Sequence, residues 1–89
     1  MPGVTHDARC ERTSRLLVAR LEAVARVATQ LRHADADRLV ELASVATMRA
    51  VALELIREEK AAEIWREAHA RHPQLPQPAR LELPQRRAA

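Results

Sequence analysis

His69 and His72 stand three residues apart, a spacing that sets both imidazoles on one side of a helix, with Glu63 and Glu67 close in sequence. Two histidines are half of a metal site. The Glu-x-x-His pair of di-iron bundles is missing, because Arg66 holds the position three before His69. Histidines near a helix C-terminus also meet the dipole favourably, and no metal ligand is assigned here. His6 and His33 add no partner of the right type or spacing.

A second chemistry is phosphate binding by arginine. Arg12, Arg15 and Arg26, with Arg9 and Arg20 beside them, lie on the outer side of an amphipathic helix and could track a polyanion. Glu22 interrupts the stripe, and no Gly-containing turn of helix-turn-helix type is present. With neither Phe nor Tyr in the chain, there is no stacking platform for single strands. A small dimeric DNA- or RNA-binding regulator using Arg12, Arg15 and Arg26 is therefore the alternative reading.

For catalysis the residues offer little. There is no Gly-rich phosphate loop, no GxSxG, no CxxC, and no Gly or Asn cluster of the kind that builds a backbone oxyanion hole. Arg49 lies between apolar patches, where it can snorkel or meet a carboxylate across an interface. The single Cys10 cannot form an internal bridge and is given no role. No catalytic, cofactor-binding or metal residue is assigned, no small-molecule substrate is evident, and no motif points to a particular family.

The elements that position these residues are helices. From Val4 to His72 there is neither Gly nor Pro, while Ala, Arg, Leu and Glu dominate, so the turn residues that all-β and α/β folds need are absent. Leu17, Leu21, Val24, Ala28 and Leu31 form an a/d seam that predicts a first helix over 14–32, with Leu16 and Val27 on the same apolar side. Thr13 or Ser14 can cap it, and Glu22 with Arg26 is spaced as an i,i+4 pair. The polar link from His33 to Asp37 is short enough for antiparallel neighbours, and Asp35 or Asp37 can cap the next helix.

After Arg38 the apolar side changes direction. Leu39, Leu42, Ala43, Val45 and Ala46 form one patch. Met48, Val51, Ala52, Leu55 and Ile56 form a second, and Ile64 with Trp65 a third. Supercoil drift of about 20° per heptad cannot produce such switches. The helix either breaks near 46–49 and 57–60 or runs on as one rod over 38–72. The lack of Gly and Pro favours the rod. Leu39 to Ala46 then forms the seam with helix 1, while Met48, Val51, Leu55, Ile56, Ile64 and Trp65 face a partner. The competing expectation for Trp65 is a third helix folded back onto the chain's own core.

The expected organisation is a flexible terminus over 1–12, a helical hairpin domain over 13–72 and a Pro-rich extended tail over 73–89. Leu75, Leu81 and Leu83 in that tail could dock in a groove. The fold class is all-α, an antiparallel helical hairpin assembling into a four-helix-type bundle. The function expected is that of a non-enzymatic interaction module: an adaptor, small regulator, co-chaperone or accessory subunit. Its partner is itself, as a homodimer, or a larger protein. The chain reads as cytoplasmic. Its longest apolar stretch, Leu39 to Ile56, contains Glu41, Arg49 and Glu54 and is too polar to span a membrane.

Overall fold

The computed structural model describes residues 6–79. Three helices follow one another, α1 (His6–Ala28), α2 (His33–Ala52) and α3 (Glu58–Arg71). The all-α class is as expected, and the single rod after Arg38 is not. Helix α2 stops at Ala52, and the chain turns over 53–57 before α3 begins, just ahead of the charged run from Arg57 to Lys60.

Local hydrogen bonds make this turn without glycine. The Glu54 N–H donates to the carbonyl of Val51 at 3.0 Å and the Leu55 N–H to that of Ala50 at 2.9 Å, the two bonds of a Schellman cap. The motif needs a left-handed residue, and Glu54 takes that role with φ 59°. A side chain with a Cβ costs about 1–2 kcal/mol there. Burying Ile56, Ile64 and Trp65 against the chain's own core returns roughly 1.5–3 kcal/mol for each aliphatic side chain, so burial wins. Replacing Glu54 with Gly relieves the clash. The expected result is a gain of about 1 kcal/mol, read as a higher urea midpoint at unchanged slope.

Helix α1 is the centre of the molecule. It packs against both α2 and α3, which touch each other less. Leu16, Leu17 and Arg20 lie beside Ala46, Thr47 and Ala50, whereas Ile56, Lys60 and Ile64 face the N-terminal half of α1 and His72 reaches Glu22. Thus α3 climbs alongside α1 in the same direction. The core joins Leu17, Leu21, Val24 and Ala25 of α1 to Val40 and Ala43 of α2 and to Ile64, Trp65 and Ala68 of α3, with Ile56 and Leu75 closing the ends.

Several local expectations are corrected. Helix α1 starts at His6, before the boundary at Thr13. Thr13 and Ser14 therefore sit inside it and donate to the carbonyls of Arg9 and Cys10 instead of capping a first turn. The helix also ends before Arg32, and Leu16, Val27 and Leu31 are exposed. Arg32, in extended conformation, precedes α2 with no side-chain cap, and Asp35 instead places its charge in the first turn. The expected flexible segment over 1–12 falls partly in α1 and partly, over 1–5, outside the described residues.

The segment after α3 is not a free tail over its described part. Leu75 is 3% exposed and belongs to the core. The Gln74 side-chain amide donates to the carbonyl of Ala25 at 3.2 Å, and the Ala79 N–H donates to Glu41 Oε1 at 2.6 Å. The strap thus crosses from α1 to α2. Leu81 and Leu83 lie outside the described residues.

Candidate interaction surface

Trp65 is the clearest correction among the site residues. Assigned to a partner, it is buried within the chain's own core, as are Ile56 and Ile64. Its indole N–H donates to Thr47 Oγ1 at 3.1 Å, and that hydroxyl donates on to the carbonyl of Ala43 at 2.8 Å. The polar tip of the ring is satisfied where it is buried. Met48, Val51 and Leu55 are half-buried, with Val51 packed against the core. Of the six residues assigned to a partner, Leu55 alone lines the groove on the outer side of α2.

Large aliphatic side chains are left in water elsewhere. Leu42, Val45 and Leu53 are 59%, 57% and 61% exposed. Positions 42, 45, 49 and 53 fall on one meridian of a 3.6-residue helix, opposite the buried row Ala36, Val40, Ala43 and Thr47. Together with Ala46, Ala50 and Leu55 they line a shallow groove of about 340 Å³. A second hollow of about 240 Å³ shares Ala46 and Ala50 and is walled by Leu16 and Arg20 of α1. The two form one apolar surface, floored by alanines and rimmed by leucines.

Leu42 and Val45, expected in the intramolecular seam, are not in it. The α2 side of the seam is made instead from Val40 and smaller residues. Ala25 on α1 and Ala36, Val40, Ala43 and Thr47 on α2 are all buried, while Leu42, Val45 and Leu53 point away. A small-residue row was the available signal, since it lets two helices approach closely.

The five arginines of α1 are all exposed, and none forms an ion pair among the described residues. Arg12 and Arg26 lie on the outer face. Arg15 reaches the wall of a cleft of about 980 Å³ between α1 and α3, and Arg20 the wall of the α1–α2 hollow. Glu22, expected beside Arg26, turns to α3 instead. It accepts a bond from Arg71 Nη2 at 3.0 Å through Oε1 and one from His72 Nε2 through Oε2.

These contacts hold the Glu22 carboxyl below the usual carboxylate range, the His72 hydrogen bond contributing most and Arg71 less, against an opposing effect of partial burial. A carboxylate with a depressed folded-state pKa supports folding above its unfolded pKa. That support disappears as pH falls through the folded value. Glu22→Gln is therefore expected to lower stability at neutral pH, and its deficit relative to wild type should close as pH drops below the ordinary carboxylate range. Urea unfolding of both proteins across pH 2.5 to 7 measures this, roughly spanning the linked titration.

The two histidines of the α3 terminus are brought near each other's surroundings but not to a common point. His69 Nδ1 lies 2.9 Å from the carbonyl of Trp65 and Nε2 3.0 Å from that of Pro76, so its ring bridges α3 to the strap. His72 is held by Glu22. Among the described residues no group of three or more His, Cys, Asp or Glu is placed to hold a metal ion. Among them, too, no helix is long and apolar enough to cross a membrane. No protein-family model, curated protein or solved structure matches this chain at a significant level.

Proposed function

We propose that this protein is a non-enzymatic helical interaction module, an adaptor, small regulator or accessory subunit, whose binding face is the outer side of α2 with its border on α1. The observation that carries the reading is the exposure of Leu42, Val45 and Leu53 on one meridian, joined through Ala46 and Ala50 to the equally exposed Leu16. A domain this small that hides Trp65 and Leu75 has no core reason to leave four large aliphatics in water. Contiguous apolar surface of this kind marks a place where another protein docks.

Photo-crosslinking tests it. A photoreactive residue at Leu42 or Leu53, in the cells that make the protein, should give discrete protein adducts that Val45→Glu abolishes. The same probe at Arg12 or Arg26 should give none. Adducts only at the arginine positions would overturn the reading.

A second reading, nucleic-acid binding, is favoured by one feature: Arg12, Arg15 and Arg26 are exposed without ion-pair partners, and Glu22 is drawn aside to α3. It requires retardation of a mixed-sequence duplex at low salt that is lost on replacing those three residues with Gln. No retardation removes it.

A further inference from the structure

We infer that the partner on this face is a second copy of the same chain, α2 against α2, antiparallel about a twofold axis at Val45. The inference rests on the reading above and names its partner. Self-complementarity carries it, in charge and in shape.

The N-terminal half of α2 holds Asp35, Asp37 and Glu41 against Arg38, and the C-terminal half holds only Arg49. An acidic half and a basic half in one helix match a copy of that helix running the other way. Glu41 and Arg49 stand one turn before and one turn after Val45. The antiparallel register centred there sets Arg49 of each copy beside the partner's Glu41, twice over by symmetry. A parallel register would set Arg49 beside the partner's Arg49. Glu41 is already oriented, since its Oε1 accepts the Ala79 N–H, and Oε2 has no bond among the described residues.

Shape follows the same register. Leu42, three residues before Val45, falls opposite the position three after it, midway between the partner's Ala46 and the partner's Ala50. Those alanines floor the groove. A leucine knob thus meets an alanine hollow at each end of the contact, while Val45 packs on its own copy at the axis. With α1 behind each α2, two copies present four helices around the new seam.

The contact is modest in size. A strip about 30 Å long and about 10 Å wide is well below the roughly 800 Å² a side of a standard interface, so the dimer dissociates in the micromolar range or above.

Sedimentation equilibrium of the full chain, from about 10 μM to about 1 mM, reads the equilibrium directly, tenfold in Kd being about 1.4 kcal/mol. The expected result is a monomer–dimer isotherm that Val45→Glu weakens at least about tenfold, with helicity by circular dichroism unchanged because Val45 is already in water. Arg49→Glu should weaken it likewise, and adding Glu41→Arg should restore it. If Val45→Glu disturbs the fold, Leu42→Gln provides the same comparison. A wild-type monomer throughout, or a dimer indifferent to these substitutions, overturns the inference. Should such a monomer still give adducts with another protein at Leu42 and Leu53, the interaction reading stands and only the identity of the partner falls. Should those positions give none, both fall.

Discussion

Trp65→Ala is expected to cost about 3–5 kcal/mol, the range for deleting a buried large aromatic side chain. A chain of this length holds on the order of 5–10 kcal/mol in total, so the variant should be only partly folded at ambient temperature. The size of the effect follows from what the ring touches. Trp65 sits in the core where α3 meets both other helices, and its N–H reaches Thr47 across the α2–α3 contact. Removing it opens a cavity at the point that holds α3 in place. Thr47→Val isolates the polar part: the hydroxyl goes, the indole N–H is left buried without an acceptor, and the expected loss is about 1–3 kcal/mol. Urea unfolding followed by far-ultraviolet circular dichroism measures both.

The second large effect lies in the strap. Leu75→Ala is expected to cost about 2–5 kcal/mol, as for other buried leucines. A residue in a solvated Pro-rich tail would instead change stability by less than about 0.5 kcal/mol. The difference is large because Leu75 is buried in the core that the three helices share, while Gln74 and Ala79 fasten the same segment to Ala25 and Glu41. His69 adds a further bridge to Pro76. The midpoint shift on Leu75→Ala therefore separates a strap that belongs to the core from a tail that merely follows it.

The helical class was legible because neither Gly nor Pro occurs between Val4 and His72, and the apolar periods of α1 and α3 are regular. That same absence concealed the break. Without Gly or Pro the cheapest local solution is a continuous rod, and only tertiary burial of Ile56, Ile64 and Trp65 outweighs the left-handed backbone of Glu54. Propensity is a local quantity. The decision between rod and turn was made by contacts many residues apart.

The site was inverted for a related reason. The shared wheel direction of Leu39, Leu42, Ala43, Val45 and Ala46 suggests that this patch forms the seam, yet of these only Ala43 is buried, and Val40 and Thr47 join it in the core. Once the seam is filled by those residues, the helical period sends Leu42, Val45 and Leu53 to the opposite side. The three apolar directions after Arg38 do not map one to one onto three surroundings. The Ile64 and Trp65 patch is internal, while each of the other two is split, Ala43 and Ile56 lying in the core and Leu42, Val45 and Leu55 lining the outer groove. The Arg12, Arg15 and Arg26 stripe was placed outside by the same periodicity and is exposed.

Trp65 is the sole aromatic residue of the Phe, Trp and Tyr class, so its fluorescence reports one position without ambiguity. The most direct check on the architecture is that emission, with acrylamide quenching, in a solution dilute enough for sedimentation to show single chains. A blue-shifted band protected from acrylamide, and unchanged on further dilution, is the outcome required of an indole covered by its own polypeptide. A red-shifted, readily quenched band that becomes protected only as concentration rises would mean that another molecule does the covering.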